Sequence, residues 1–99
     1  MSLEAMTTGI KEKVGDHSPI AKVVKFSFGD DGVITIDGTA SPTVVDNTDK
    51  DADCTVNVSM ADFEAMLGGS LNPQMAFMTG KLRIEGDMSI AMQLGSIVG

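Results

Sequence analysis

The sequence predicts an α+β fold, in which helices and strands are grouped along the chain instead of alternating one by one. Apolar residues recur at helical spacing near the N-terminus, alternate at strand spacing through the middle, and return to helical spacing toward the C-terminus. The resulting order is helix, four strands, two helices, strand and helix, which is typical of α+β domains. Because the chain has 99 residues, one domain over residues 1–99 is expected.

The first helix begins at Ser2, a favourable N-cap, and ends at the loop that starts with Gly15. Its apolar residues are three or four positions apart, so they form one stripe. They are Leu3, Met6, Ile10 and Val14. This helix is therefore predicted to be amphipathic.

Alternating apolar and polar residues predict the four strands that follow. The first covers residues 24–28 and the second 33–37, and a Gly/Asp hairpin turn at 29–32 joins them. A short third strand is predicted at 43–46, where the preceding proline suits a strand entrance or a sheet edge. The fourth strand is predicted at 54–58.

Two short helices with clear end signals come next. Ser59 begins the first, with an acidic residue three positions later as in a variant capping box, and Gly68 ends it. Asn72 caps the second, and Pro73 fits its first position because the N–H that proline lacks would have no helical partner there. Gly80 supplies the left-handed residue that ends this helix.

The C-terminal segment combines a strand with a last helix. Residues 81–85 alternate apolar and charged side chains, the pattern of a half-buried strand. Gly86 breaks it, and Asp87 caps a helix predicted over 88–98 that is apolar on most of its circumference. Such a helix at the end of a small domain must cover an apolar region.

Methionine is concentrated in these C-terminal helices. Six of the chain's eight methionines lie at helical positions between residues 60 and 92: Met60, Met66, Met75, Met78, Met88 and Met92. Methionine is flexible and is frequent where an apolar surface adapts to varied shapes. With no Trp or Tyr and only four Phe, few rigid rings are available to fill the interior. Two interpretations stay open, a pliable pocket and a core in which methionine fills gaps.

Charge and hydrophobicity restrict the partners. Fourteen acidic and seven basic residues give a net charge of −7, which predicts no nucleic-acid partner and disfavours electrostatic docking to anionic membranes. No apolar run approaches the roughly 18 residues of a spanning helix, so no stable membrane insertion is expected. The sequence has neither a secretory signal at its start nor a peroxisomal address at its end, which predicts a cytoplasmic protein.

An acidic loop and a single histidine are the candidates for a metal site. From Asp49 the loop begins like an EF-hand, but Cys54 stands where the turn glycine belongs and Met60 where the bidentate glutamate belongs. His17 has no second ligand at a matching spacing. A solvated loop at 46–53 is therefore predicted, with no metal and no cofactor.

No set of residues suited to catalysis emerges from the sequence. Nucleophilic catalysis requires an activated nucleophile, a base and an oxyanion site, and the lone histidine would have to serve every role. Neither a G-x-S-x-G elbow nor a phosphate or dinucleotide loop is present. Cys54 lies on the apolar face of its strand and is predicted to be a buried small hydrophobe. No enzymatic activity is expected.

Several segments of the C-terminal half resemble the sterol carrier protein-2 domain family. They are Asp51-Ala-Asp-Cys-Thr55, Asp62-Phe-Glu-Ala-Met-Leu-Gly-Gly69, Asn72-Pro-Gln-Met-Ala-Phe-Met-Thr-Gly-Lys-Leu82, Gly86-Asp-Met88 and Ala91-Met-Gln-Leu94. The resemblance is strong over about residues 51–98 and weaker before them. It implies a five-stranded, mostly antiparallel sheet with helices packed on one face, enclosing an apolar tunnel that holds a lipid.

The lining of this tunnel is predicted from the apolar residues of three helices and the sheet beneath them. The last helix and the helices beginning at Ser59 and Pro73 would form its walls. The predicted lipid-binding residues are Ile36, Val56, Phe63, Met66, Leu67, Leu71, Met75, Met78, Leu82, Ile84, Met88 and Met92. The expected partner is an apolar lipid, namely a sterol, a fatty acid, an acyl-CoA or a phospholipid, held by its transfer out of water.

Three functions are compatible with this resemblance. The first is an intracellular, non-catalytic lipid-binding and transfer protein. The second is an accessory module that presents an isoprenoid or acyl intermediate to a partner, a lipid-metabolising enzyme. The third is a domain with a solid core that serves protein association.

Overall fold

The computed structural model describes residues 2–15 and 20–93 and confirms the α+β fold. Within these ranges the helices are α1 (Leu3–Val14), α2 (Met60–Leu67), α3 (Pro73–Met78) and α4 (Met88–Ala91). The strands are β1 (Val23–Ser27), β2 (Val33–Asp37), β3 (Val44–Asp46), β4 (Cys54–Val58) and β5 (Leu82–Gly86), and a 3-10 turn, Gly29–Asp31, joins β1 to β2. His17 and the part of the last predicted helix beyond residue 93 lie outside the described residues.

The five strands form one sheet in the order β3-β2-β1-β4-β5. β1 and β4 run parallel and the other neighbours are antiparallel, which confirms the mostly antiparallel sheet. Phe26 pairs with Ile34 on one side and Val56 on the other, and Val56 pairs with Ile84. Because paired residues share a face, these apolar side chains line the same face of the sheet.

Each described helix packs on this apolar face, as predicted. The helical residues buried in the same core are Met6, Ile10 and Val14 of α1, Phe63 and Met66 of α2, Ala76 of α3 and Ile90 of α4. Over residues 2–15 and 20–93, no helix combines the length and the apolar character that crossing a bilayer requires.

The loop between β3 and β4 crosses the opposite face of the sheet. Lys25 and Thr35 point to this face, since they alternate with the core residues of their strands. The Nζ atom of Lys25 is 2.9 Å from Oδ1 of Asp49, and the Thr35 hydroxyl donates a 2.7 Å hydrogen bond to the carbonyl of Thr48. The acidic loop was predicted to be solvated, and Asp49 is exposed, but the loop also shields part of the sheet.

The predicted caps form the expected hydrogen bonds. The side chains of Ser2, Ser59, Asn72 and Asp87 accept backbone N–H bonds at the starts of α1, α2, α3 and α4. Gly80 follows α3 with φ 79°, the left-handed conformation that glycine favours. These interactions involve near neighbours in sequence, so the local pattern was sufficient to place them.

Candidate functional site

The predicted lining residues fall into two groups in the structure. In the first group, Ile36, Val56, Phe63, Met66 and Leu82 are buried, and Leu67, Leu71 and Ile84 are half-buried against the same core. In the second group, Met75, Met78, Met88 and Met92 are exposed. The fold therefore brings the sheet and α2 residues together in the interior and places the methionines of the α3 and α4 segments at the surface.

Three phenylalanine rings fill the interior beneath α2. The ring centroid of Phe63 is 4.9 Å from that of Phe26 and 5.0 Å from that of Phe28. All three side chains are buried, and their tilted arrangement is one that aromatic pairs prefer. Three of the chain's four phenylalanines therefore meet at this one place. A guest molecule would have to lie beside this aromatic cluster.

The inner face of the edge strand β5 is less completely covered. Leu82 is buried there, whereas Ile84, two residues further along the same face, is only half-buried. Both α3 and α4 pack against β5. The core side chains of these helices are Ala76 and Ile90, neither of which is among the predicted lining residues.

The methionines of the α3 and α4 segments are exposed, and both helices pack against this edge strand. The exposed fraction is 55% for Met75, 78% for Met78, 50% for Met88 and 85% for Met92, and we call these residues the methionine patch. The two on α3 are three positions apart and the other two are four apart, so each pair lies on one side of its helical segment. Clustered exposed apolar side chains mark a surface suited to an apolar ligand or partner.

A separate cavity of about 380 Å³ lies between α1 and the end of α2. It is lined by Ala5, Gly9, Glu12, Lys13, Leu67 and Gly68. Of the predicted lining residues, Leu67 contributes to this cavity. Its other walls are small or charged side chains, so it differs in character from the methionine patch.

The buried part of the site offers apolar contacts and no unpaired polar group. Cys54 is buried on the core face as predicted, and burial, followed by the charge of Asp87, raises the pKa of its thiol. In the described ranges, each buried side-chain nitrogen or oxygen has a hydrogen-bond partner. Among the same residues, no three His, Cys, Asp or Glu side chains are grouped closely enough to hold a metal ion.

Comparison with known protein families extends the resemblance over nearly the whole chain. The model of the SCP-2 sterol transfer family matches residues 5–99. The chain belongs to this family. The match begins well before residue 51, so the first helix and the first strands of this SCP-2 chain also follow the family pattern.

Individual relatives agree with this assignment. The SCP-2 chain is 47% identical to sterol carrier protein 2 of Homo sapiens over 55 residues, which are 56% of this chain and 10% of that protein. It therefore spans about a tenth of the length of that curated relative. It is 34% identical over 98 residues to non-specific lipid-transfer protein-like 1 of Caenorhabditis elegans, covering 90% of this chain and 83% of that one.

Similarity to a solved structure also supports the fold. The solution NMR structure of palmitated SCP2L2 from Aedes aegypti has a TM-score of 0.74 and 25% sequence identity to this chain. The similarity covers 99% of this chain and 95% of that one.

Proposed function

We propose that this SCP-2 family chain binds an apolar lipid reversibly and carries it without catalysing a reaction. The observation that supports this most directly is the methionine patch beside the half-covered inner face of β5. The lipid tail would enter between α3 and α4 and lie along β5, with Ile84 beneath it. Methionine suits such walls because its side chain adapts to the shape of the guest.

The proposed lining keeps the predicted residues and divides their roles. Val56, Leu82 and Ile84 form the floor on the sheet, and the methionine patch forms the walls. Ile36 and Met66, with Leu67 and Leu71, surround the inner end together with Phe63, which is part of the aromatic cluster. The apolar tunnel implied by the family resemblance is part of this proposal.

The expected affinity follows from the apolar surface of a lipid tail. Burying about 14 methylenes at about 0.8 kcal/mol each contributes about 11 kcal/mol. Association and ordering cost at least about 4 kcal/mol, which leaves a dissociation constant in about the micromolar range. Hydrophobic contact distinguishes one methylene by only about 1–3 kcal/mol, so broad specificity is expected. Both properties suit a carrier that must also release its lipid.

An acyl chain is the ligand class with the most support. The Aedes aegypti structure is of a palmitated protein. A sterol, an acyl-CoA and a phospholipid are the alternatives, and their masses distinguish them.

A second function is suggested by the length of the human relative. The matched segment is 10% of that protein, so sequences of this family occur within much longer proteins. In this alternative, the chain presents an isoprenoid or acyl intermediate to a lipid-metabolising enzyme. The cytoplasmic location predicted from the sequence stays a prediction in both cases.

Native mass spectrometry of protein purified without detergent tests the lipid proposal. We expect a species heavier than the bare chain by the mass of one lipid, which organic extraction removes and identifies. Bare chain alone, both as purified and after incubation with palmitate, would contradict the proposal. Co-purification with a lipid-metabolising enzyme that transfers the bound lipid would favour the accessory role.

A further inference from the structure

The last residues of α3 and the turn that leads to β5 form an exposed corner. Residues 77–81 are consecutive and all exposed. Phe77 and Met78 are 47% and 78% exposed, although both are large apolar side chains. Gly80 reverses the chain with φ 79°, and Lys81 follows it directly. This corner therefore presents an aromatic, a flexible apolar and a basic side chain within five positions.

The charge around this corner differs from that of the rest of the chain. Between Glu64 and Glu85 there are two basic residues, Lys81 and Arg83, and no acidic one. Both basic side chains are exposed. Elsewhere the chain is strongly acidic, since its net charge is −7. In sequence, the corner thus lies in a basic and apolar stretch of an acidic protein.

We propose that this corner, residues 77–81, is the surface through which the protein docks on a lipid bilayer. Phe77 and Met78 would enter the interfacial layer, where aromatic and apolar side chains are stabilised. Lys81 would lie at the level of the lipid phosphates, which its charge complements. The docking is peripheral and reversible. Met78 also belongs to the methionine patch, so Phe77 and Lys81, which do not, are the positions that test docking separately from lipid carriage.

The small size of the corner favours a bilayer over a protein partner. An aromatic side chain buries about 150–250 Å². A specific protein interface requires about 1,000 Å² or more summed over both partners, or about 500 Å² on this side. Phe77 and Met78 are already partly buried, so with Lys81 they do not supply this area alone. Docking on a bilayer does not require a large rigid contact area, because lipids rearrange around an inserted side chain.

Salt shortens the range over which the net charge of the chain opposes docking at this corner. Exposed charges more than about 8 Å apart are largely screened at physiological ionic strength. The nearest acidic residue along β5 is the exposed Glu85, two positions after Arg83. Apolar insertion should therefore supply most of the affinity, and anionic lipid should add a modest amount.

Vesicle co-sedimentation of the full chain tests the proposal with one substitution and a matched control. Vesicles of phosphatidylcholine alone, and of phosphatidylcholine mixed with phosphatidylglycerol, are the probes. Phe77→Ser is expected to weaken binding to both kinds by about tenfold or more. Val44→Ser is the control, because Val44 is 42% exposed on β3 at the other edge of the sheet. It is expected to bind like the unsubstituted protein.

A second substitution isolates the electrostatic part. Lys81→Gln is expected to lose about fivefold in binding to the mixed vesicles and to keep its binding to phosphatidylcholine alone. Equal binding by Phe77→Ser and Val44→Ser would overturn the proposal, as would the absence of vesicle binding by the unsubstituted protein. A dimer seen by light scattering that Phe77→Ser abolishes, without vesicle binding, would assign the corner to a second copy instead.

The lipid-binding proposal can be tested independently of the docking proposal. Phe77 is outside the proposed lining, so uptake of a fluorescent fatty acid from solution by Phe77→Ser should equal that of the unsubstituted protein. Vesicle binding without fatty acid uptake would remove the lipid-binding proposal and leave the docking surface in place. Fatty acid uptake without vesicle binding would remove the docking proposal and leave the lipid-binding proposal in place.

Discussion

The ammonium group of Lys22, one residue before β1, lies 2.7 Å from Oδ2 of Asp87, the N-cap residue of α4. The other carboxylate oxygen of Asp87 accepts hydrogen bonds from the backbone N–H and the hydroxyl of Ser89. The backbone N–H of Asp87 donates to the carbonyl of Asp53, whose side chain accepts from the N–H of Val23. The start of α4 is therefore connected to β1 and to the entry of β4.

Replacing Asp87 tests this connection. Asp87→Ala removes the ion pair and the helix cap, whereas Asp87→Asn removes the charge but keeps an oxygen that can accept the cap hydrogen bonds. We expect the urea midpoint to fall in the order unsubstituted, Asn, Ala, with the dependence on urea concentration unchanged. Equal midpoints for the two variants would show that the cap adds no stability at this position.

The same contacts predict a pH dependence. Hydrogen bonds from Lys22 and then from Ser89 hold the pKa of Asp87 well below the ordinary carboxyl range. A carboxyl whose pKa is lower in the folded state stabilises the protein above its unfolded pKa of about 4, and this contribution is lost as the pH falls below that value. Asp87→Asn removes this stabilising contribution.

Urea unfolding of the two proteins across the acid range measures this effect. The difference in the free energy of unfolding should be constant from about pH 7 to pH 5 and shrink below about pH 4. Other acid-sensitive groups, such as Asp37, are present in both proteins and should largely cancel. A difference that stays constant down to about pH 2 would show that Asp87 does not titrate in this way.

Phe63 is expected to be the most sensitive core position. Phe63→Ala removes the ring that contacts both Phe26 and Phe28, and such truncations lower the free energy of unfolding by about 3–5 kcal/mol. Chemical denaturation measures the change. Phe77→Ala is the control, because Phe77 is exposed and its loss should change stability by about 0.5 kcal/mol at most. Similar losses for both variants would contradict the described packing.

Cys54 should be inert in the folded protein. Burial raises the pKa of its thiol, so the reactive thiolate is scarce at neutral pH, and the surrounding core also blocks access. We expect negligible reaction with a thiol reagent such as dithionitrobenzoate until urea unfolds the chain. Cys54→Ala, which has no thiol, is the control for background reaction of the reagent. Rapid modification of the folded protein would indicate that this part of the core opens readily.

Local sequence signals were sufficient for most of the fold. The caps at Ser2, Ser59, Asn72 and Asp87 depend on hydrogen bonds within a few residues, and alternation placed the strands because one face of the sheet is buried. The parallel pairing of β1 with β4 is not a local property, and the sequence patterns did not reveal it.

The orientation of α3 and α4 was not predictable from the residues. Both are short in the described structure, six and four residues, so their periodicity covers less than two turns. Apolar side chains occur around each, and contact with β5 selects Ala76 and Ile90 for the core. The methionines of the α3 and α4 segments are therefore left at the protein surface. Likewise, no local signal showed that Phe28, beyond the end of β1, meets Phe63.

The central claim is that a lipid tail occupies the methionine patch beside β5. Met75→Asp and Met92→Asp place a carboxylate in the proposed walls, where a bound tail would have to desolvate it. Both residues are exposed, so the variants should fold. Val44→Asp, on the opposite edge of the sheet, is the matched control.

Titration of the delipidated proteins with a fluorescent fatty acid is the most direct measurement. We expect binding in about the micromolar range by the unsubstituted protein and by Val44→Asp. We expect no measurable uptake by folded Met75→Asp or Met92→Asp. Unchanged affinity in both folded methionine variants would contradict the claim.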